Sequence, residues 1–293
     1  MHKSGFVNIV GNPNVGKSTL MNLLVGERIS IATFKAQTTR HRIMGIVNTD
    51  DAQIVLSDTP GVVKPAYKLQ ASMLQFSESA LQDADVLLYV TDVVEEPEKN
   101  IDFLSKVQKM DVPVLLVINK IDLSTQSSVA ALITRWQALL PRAEVYPISA
   151  KSKFGHQVIL RRIKELLPES PPYFGKDQWT DKPARFFVSE IVREKILLYY
   201  DKEIPYAVQV VVETFKETEK RIDIRAVIYV ERDSQKGILI GHQGVALKRL
   251  GIESRRSLER FFGKKINIET FVKVDKDWRN SDRELRNFGY SQE

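Results

Sequence analysis

The chain of 293 residues contains no cysteine, and its four histidines are scattered along the sequence. The absence of cysteine excludes disulfides and thiolate metal sites, and the histidine spacing matches no metal-binding motif. Long apolar runs are absent as well, because segments such as DVLLYV and VPVLLVI fall far short of the roughly 20 residues that cross a bilayer. The first residues, MHKSGFVNIVG, lack the apolar core of a secretory signal, so we expect a cytoplasmic protein without structural zinc.

The sequence does contain two different patterns of apolar residues, one on each side of a proline-rich segment. Up to about residue 168, short β-branched runs alternate with helix-period segments, which is typical of a mostly parallel six-stranded α/β sheet. The later part has the order α, β, β, α, α, β, which indicates a smaller α+β domain. We therefore predict a first domain at 1–168, a linker at 169–183, a second domain at 184–276 and a polar tail at 277–293.

A glycine-rich loop, GNPNVGKS at residues 11–18, matches the phosphate-binding pattern G-x-x-x-x-G-K-[ST] between a predicted strand and a predicted helix. Backbone N–H groups of residues 11–17 are predicted to surround the α- and β-phosphates of a nucleotide at the positive end of the helix. Lys17 is predicted to reach the β- and γ-phosphates, and Ser18 to bind Mg²⁺. The alternative, a tight turn without a ligand, is disfavoured by the flanking strand and helix.

Two further motifs are predicted to contact Mg²⁺ and the γ-phosphate. AQTTR, at 36–40, offers Thr38 or Thr39 to Mg²⁺ when the γ-phosphate is present. DTPG, at 58–61, closes an apolar strand, so Asp58 can hold Mg²⁺ through water while the Gly61 N–H meets the γ-phosphate. The predicted catalytic residues are therefore Lys17, Thr39 and Gly61, and the predicted Mg²⁺ ligands are Ser18, Thr39 and Asp58.

Two motifs are predicted to select the base. In NKID, at 119–122, the Asp122 carboxylate can accept hydrogen bonds from guanine N1–H and N2–H₂, which adenine lacks. In SAK, at 149–151, the Ala150 N–H can meet guanine O6. Each motif alone is a weak signal, but five in the order of a guanine-nucleotide switch predict a GTPase. The predicted nucleotide site comprises Gly11, Asn12, Pro13, Asn14, Val15, Gly16, Lys17, Ser18, Thr19, Thr38, Asp58, Thr59, Pro60, Gly61, Asn119, Lys120, Asp122, Ser149, Ala150 and Lys151.

One feature of Ras-type enzymes is missing, the glutamine after the DxxG glycine that orients the attacking water. Val62 occupies that place and cannot orient water, so intrinsic hydrolysis is expected to be slow. Catalysis then depends on Lys17, Mg²⁺ and a further cation. Asn14, inside the phosphate loop, is a candidate ligand for that cation; the alternative is that Asn14 only shapes the loop.

A second glycine turn, G-x-x-G from Gly241 to Gly244, lies between two predicted helices and carries no Lys-Ser pair. Residues 236–265 contain eight Lys or Arg and two Glu. A basic run is commonly a solvated helix face, but beside this turn and in this element order it is typical of a KH domain, where an RNA backbone approaches the turn. The predicted RNA contacts are Gly237, Ile240, Gly241, His242, Gln243, Gly244, Lys248, Arg249, Arg255, Arg256 and Trp278.

The motifs GNPNVGKST, KAQTTRHR, DTPG, NKID, SAK and IGHQG, with the ending WRNSDRELRNFGY, resemble the Era family of bacterial GTPases over essentially the whole chain. The resemblance implies a P-loop GTPase domain followed by a type II KH domain that binds the 3′ end of 16S rRNA under the control of GTP, in assembly of the 30S subunit. It also implies peripheral contact with the inner membrane and K⁺ at Asn14. We expect a monomer.

Two alternatives stay open on the sequence. A tRNA-modifying GTPase should carry a cysteine-bearing C-terminus and a cofactor-binding domain, which this sequence lacks. The second alternative is an RNA-binding module with a structural nucleotide. It would differ from a GTP-operated switch because GTP turnover would not change its affinity for RNA. The glycine turn also departs from the lysine-containing turns of relatives at His242 and Gln243, so RNA affinity is expected to depend more on the following helix.

Overall fold

The structure is a computed structural model that describes residues 2–290. The chain divides into two compact units, one formed by residues up to 65 together with 70–181, the other by 66–69 together with residues from 182 onward. Among the described residues, we find no helix with the length and apolar character needed to span a bilayer.

The first unit contains a six-stranded sheet. Its elements are β1 (Lys3–Val10), α1 (Lys17–Val25), β2 (Ile43–Asn48), β3 (Ala52–Asp58), α2 (Lys68–Gln82), β4 (Val86–Asp92), α3 (Ile101–Gln108), β5 (Val114–Asn119), α4 (Gln126–Leu139), β6 (Glu144–Pro147) and α5 (His156–Leu166). The strands lie in the order β2-β3-β1-β4-β5-β6, and every pair is parallel except β2 with β3. The predicted mostly parallel sheet is confirmed.

The sheet topology brings the sequence motifs together. The strands β3 and β4 are buried along their whole length, as expected for parallel strands covered on both faces. The phosphate loop follows β1, Asp58 ends β3, Asn119 ends β5, and Ser149 follows β6. Because the carboxyl ends of parallel strands share one edge of a sheet, the loops that carry the motifs meet at that edge.

The second unit is an α+β domain. Its elements are α6 (Ala184–Tyr199), α7 (Ile204–Ala207), β7 (Gln209–Glu217), β8 (Arg221–Val230), α8 (Asp233–Ile240), α9 (Val245–Phe262), β9 (Lys265–Val274) and α10 (Asp282–Asn287). The sheet order is β7-β8-β9, with β7 antiparallel and β9 parallel to β8. Apolar side chains of α6, α9 and the three strands form two buried clusters. The predicted α, β, β, α, α, β order is confirmed, with α7 as an additional short helix.

The segment predicted as a linker, 169–183, is for the most part packed on the first unit. Thr180 forms an antiparallel bridge with Gly45 of β2, and the Thr180 hydroxyl donates to the Met44 carbonyl at 2.7 Å. The Ile46 N–H donates to the Trp179 carbonyl at 3.0 Å. Since β2 lies at the edge of the sheet, these contacts cover backbone groups that an open edge would expose.

The described part of the predicted tail contributes to the core of the second unit. Trp278, Leu285 and Tyr290 are buried. The Tyr290 hydroxyl donates to Gln209 Oε1 at 2.7 Å. The tail looks polar in sequence because the three buried side chains are separated by charged residues, whereas the structure places them on the inner side of a short helix and its flanking turns.

Candidate nucleotide site and candidate RNA-binding surface

The phosphate loop has the backbone shape that its glycines predict. Gly11 has φ 144°, and a Cβ added there would lie 2.1 Å from the Val90 carbonyl oxygen. Gly16 has φ 95°, and its Cβ would lie 2.3 Å from Asn119 Nδ2. Both positions therefore exclude a side chain, and Gly16 ends the loop where α1 begins, so the N–H groups of the first turn of α1 are available to an anion.

Lys17 is the buried cation of this site. Its Nζ donates to the carbonyl oxygens of Gly11 at 3.0 Å and Asn12 at 2.8 Å. Burial lowers the pKa of Lys17 to about 8, and the charges of Asp58 and Glu95 act against that fall. A buried ammonium group held by the loop can bind phosphate oxygens with little further loss of side-chain freedom.

The predicted Mg²⁺ ligands converge. Ser18 Oγ lies 2.8 Å from Thr39 Oγ1 and donates to Asp58 Oδ2 at 2.7 Å, and Thr39 Oγ1 donates to the same oxygen at 3.3 Å. The other oxygen, Asp58 Oδ1, is buried without a hydrogen-bond partner among the described residues. Burial raises the pKa of Asp58. Two hydroxyls and a desolvated carboxylate are hard oxygen donors of the kind that Mg²⁺ prefers, so these residues fit the ion.

The structure separates the two threonines of AQTTR. Thr39 lies beside Asp58, whereas Thr38 Oγ1 lies 2.7 Å from Thr33 Oγ1 and donates to the Lys35 carbonyl at 2.6 Å. In DTPG, the Thr59 hydroxyl donates to the Ile9 carbonyl at 2.7 Å. Thr38 and Thr59 therefore shape their loops with their side chains, and Thr39 is the threonine that lies at the predicted Mg²⁺ site.

The residues predicted to bind the base form a connected network. Asn119 Nδ2 donates to the Val15 carbonyl at 2.9 Å, and Ser149 Oγ donates to Asp122 Oδ1 at 2.5 Å. Lys120 Nζ contacts the Asn14 carbonyl and Asp92 Oδ2, each at 2.6 Å. The Ala150 N–H, predicted to meet guanine O6, instead donates to Asn119 Oδ1 at 3.0 Å, so in this structure Ala150 holds the Asn119 amide.

The second glycine turn joins α8 to α9. Gly241 and Gly244 have φ values of 70° and 77°, and the side chains of His242 and Gln243 between them are exposed. A Cβ at Gly241 would lie 2.6 Å from the Ala246 Cβ, whereas a Cβ at Gly244 meets no described atom within 4 Å. Gly241 is thus required by the packing of the turn, and Gly244 leaves the outer surface of the turn open.

Two grooves flank α9. The first, of about 410 Å³, is lined by Gly244, Lys248 and Arg255 together with residues of β9. The second lies on the other side, where the Arg249 guanidinium is 4.8 Å from the centre of the exposed Tyr199 ring. The sequence did not separate the basic residues of α9 from one another. In the structure, Lys248 and Arg255 line the first groove, whereas Arg249 lines the second.

The structure also shows the surroundings of three other residues that were predicted to contact RNA. Trp278 is fully buried and its ring N–H donates to the Ala207 carbonyl at 3.0 Å, which corrects its predicted role because its faces are not available to a base. Ile240 packs against the apolar cluster of the second unit. Arg256 is exposed, but it pairs with Glu253 at 2.8 Å. Sequence reasoning missed the groove residues Ile252, Asn267 and Thr270, which carry no motif signal.

Comparisons with known proteins agree with this arrangement. Residues 6–120 match the family model described as 50S ribosome-binding GTPase, and residues 203–279 match that of the KH domain. The chain is 43% identical over 291 residues to GTPase Era of Staphylococcus haemolyticus, covering 99% of this chain and 97% of that protein.

Solved structures give the same result. The structure of a single-residue variant of Aquifex aeolicus Era bound to GDP and AlF4⁻ has a TM-score of 0.94 and 37% identity, with 99% of this chain and 100% of that chain covered. Era in complex with MgGDPNP and nucleotides 1506–1542 of 16S rRNA has a TM-score of 0.95 and 37% identity, with 100% of both chains covered. The chain therefore belongs to the Era family of GTPases.

Proposed function

We propose that this chain is a GTP-hydrolysing switch that binds the 3′ region of 16S rRNA through its KH domain during assembly of the 30S ribosomal subunit. The observation that carries the proposal is the convergence of Ser18, Thr39 and Asp58 beside the buried Lys17. The similar Era structures were solved with GDP and AlF4⁻ and with MgGDPNP and 16S rRNA, which supports both halves of the proposal.

The chemistry of the proposed reaction is mainly charge stabilisation. Mg²⁺ held by Ser18, Thr39 and Asp58 would offset the negative charge of the β- and γ-phosphates. Lys17 contributes a second positive charge, and the Gly61 N–H is proposed to contact the γ-phosphate. Guanine selection is assigned to the Asp122 carboxylate, which the Ser149 hydroxyl orients.

A monovalent cation is part of the proposal. Asn14 has φ 65° and lines the cavity between the phosphate loop and residues 32–39. Its amide oxygen can ligate K⁺ near the phosphates, where the added charge would replace part of the contribution of the missing glutamine. This assignment rests on the position of Asn14 and on the family resemblance.

The test combines turnover with RNA affinity. Purified wild-type protein is assayed for GTP hydrolysis with Mg²⁺, and for binding of an RNA that matches the 3′ end of 16S rRNA, with GDP or a non-hydrolysable GTP analogue. We expect turnover, tighter binding of this RNA than of a scrambled one, and an affinity that depends on the nucleotide. Asp58→Asn, which keeps the shape but removes the charge, should abolish turnover. RNA binding without turnover would instead support the RNA-binding module with a structural nucleotide.

The cellular setting is proposed on the resemblance. We propose that the protein is a cytoplasmic monomer that contacts the inner membrane peripherally and associates with 30S particles. Sucrose-gradient fractionation of a cell lysate should place the protein with 30S particles, and high salt should release any membrane-bound fraction. Retention in the membrane after a high-salt wash would contradict a peripheral contact.

A further inference from the structure

One side chain outside the nucleotide motifs connects the phosphate loop to the DTPG turn. Asn100, directly before α3, donates through Nδ2 to Asn12 Oδ1 and also to the Val62 carbonyl oxygen at 3.2 Å. The two hydrogens of one amide group therefore reach two loops that are 38 and 88 residues away along the chain. No motif in the sequence marks Asn100.

The two residues that accept hydrogen bonds from Asn100 are buried. Asn12 is 3% exposed and Val62 is 5% exposed. Burial raises the pKa of Glu95, and hydrogen bonds from Asn12 and Thr91 to its carboxylate act against that rise. A continuous chain of hydrogen bonds thus runs from Thr91 through Glu95, Asn12 and Asn100 to the backbone of Val62. Most of the groups in this series of hydrogen bonds are removed from solvent. If one of the hydrogen bonds is lost, water therefore cannot replace it without a cost in free energy.

The same short stretch of backbone is held from a second side. The Val62 N–H donates to the Gly11 carbonyl at 3.1 Å. A Cβ added to Gly61 would lie 2.7 Å from the backbone of Pro13, so Gly61 packs directly on the phosphate loop. The Val62 N–H belongs to the peptide that follows Gly61, and the Val62 carbonyl belongs to the next peptide, so these two hydrogen bonds hold the backbone on both sides of Val62.

We propose that Asn100 is a positioning residue for GTP hydrolysis, which holds the Gly61–Val62 backbone against the phosphate loop. The inference rests on the proposed function, because it assumes that the Gly61 N–H faces the γ-phosphate. Asn100 does not touch the nucleotide; it acts through the backbone. Since this chain lacks the water-orienting glutamine, fixed backbone groups near the γ-phosphate act together with Lys17 and the proposed cations, and their orientation in advance of the reaction lowers the barrier.

The experiment compares Asn100→Ala and Asn100→Leu with wild type and with Gln108→Ala. Leucine has nearly the size of asparagine but donates no hydrogen bond. Gln108 is the matched control because it lies on α3 and donates from a side-chain amide to the Leu139 carbonyl at 2.8 Å, on the exposed surface. Steady-state GTP hydrolysis gives kcat and KM, fluorescent GDP gives the dissociation constant, and a thermal melt checks the fold.

We expect kcat to fall about tenfold in both Asn100 variants, with KM and the GDP dissociation constant within about twofold of wild type, because a transition-state contact affects kcat rather than binding. Gln108→Ala should match wild type. Unchanged kcat in the Asn100 variants would overturn the inference. A rise in KM at constant kcat, or loss of the fold in both variants, would also overturn it, since either result makes Asn100 a structural residue. Absence of turnover in the wild type would instead refute the proposed function.

Discussion

Gly244 allows the charge at the glycine turn to be tested separately from its shape. Gly244 has φ 77°, and a Cβ there meets no described atom within 4 Å, so a side chain fits without a clash. Asn and Asp are the non-glycine residues that best tolerate this left-handed conformation. We expect Gly244→Asn and Gly244→Asp to cost about 1 kcal/mol of folding free energy each, and to remain folded.

The two variants differ only in charge, so their difference in RNA affinity isolates electrostatic repulsion. A carboxylate about 5 Å from an RNA phosphate is repelled by about 0.8 kcal/mol at a dielectric constant of about 80 and by about 3 kcal/mol at about 20. Gly244→Asp should therefore bind RNA between about 4-fold and about 160-fold more weakly than Gly244→Asn, with the difference shrinking as salt rises.

The assay is filter binding of a pyrimidine-rich single-stranded RNA over a salt series, with GTP turnover measured on the same preparations. Turnover should be unchanged in both variants, because every residue predicted to form the nucleotide site lies in the first unit. Equal RNA affinity of Gly244→Asp and Gly244→Asn at low salt would refute the assignment of this turn as the place where the RNA backbone approaches. Loss of turnover as well as RNA binding would show that the variant has lost its fold.

Four further changes test other parts of the two sites. Asp122→Asn should exchange preference for GTP with preference for XTP in a competition assay, because an amide donates to xanthine O2 where the carboxylate accepted from guanine N2–H₂. Hydrolysis should be faster in K⁺ than in Na⁺, and Asn14→Ala should remove that difference; equal wild-type rates in the two salts would contradict the cation site. Bound phosphates should raise the pKa of Lys17 from about 8, so at higher pH Lys17 takes up a proton when the nucleotide binds. The affinity for GDP, measured by fluorescence, should therefore fall as the pH rises from about 7 to about 9. Trp278→Ala should lower the free energy of unfolding of the second unit by about 3–5 kcal/mol in a denaturant titration, as expected for a buried aromatic side chain.

The sequence was sufficient where a local pattern determines local geometry. The phosphate loop needs glycine where a Cβ would strike Val90 or Asn119, so its pattern predicted both the backbone and the ligand. The convergence of Ser18, Thr39 and Asp58 also followed, because the order of strands and loops in a parallel sheet brings their ends to one edge.

Prediction from sequence was weaker where burial depends on distant partners. Trp278 was predicted from the sequence to contact RNA, yet its ring N–H reaches a carbonyl 71 residues away and the ring is enclosed. The segment before α6 looked like a free linker because it is rich in proline, but its backbone pairs with the edge strand β2. Neither contact has a signature in the local sequence.

Val62, which stands where Ras-type enzymes have the glutamine, has a structural role of its own. Val62 belongs to a buried apolar cluster with Val10 and Tyr89, so its side chain is part of the core of the first unit. A glutamine at this position would bury an unpaired amide or leave the cluster, and either change is costly. The chain therefore holds the backbone of residue 62 from both sides, through the Gly11 carbonyl and the Asn100 amide, while the side chain stabilises the fold. The sequence reveals the absent glutamine, but only the structure reveals the asparagine that fixes the backbone in its place.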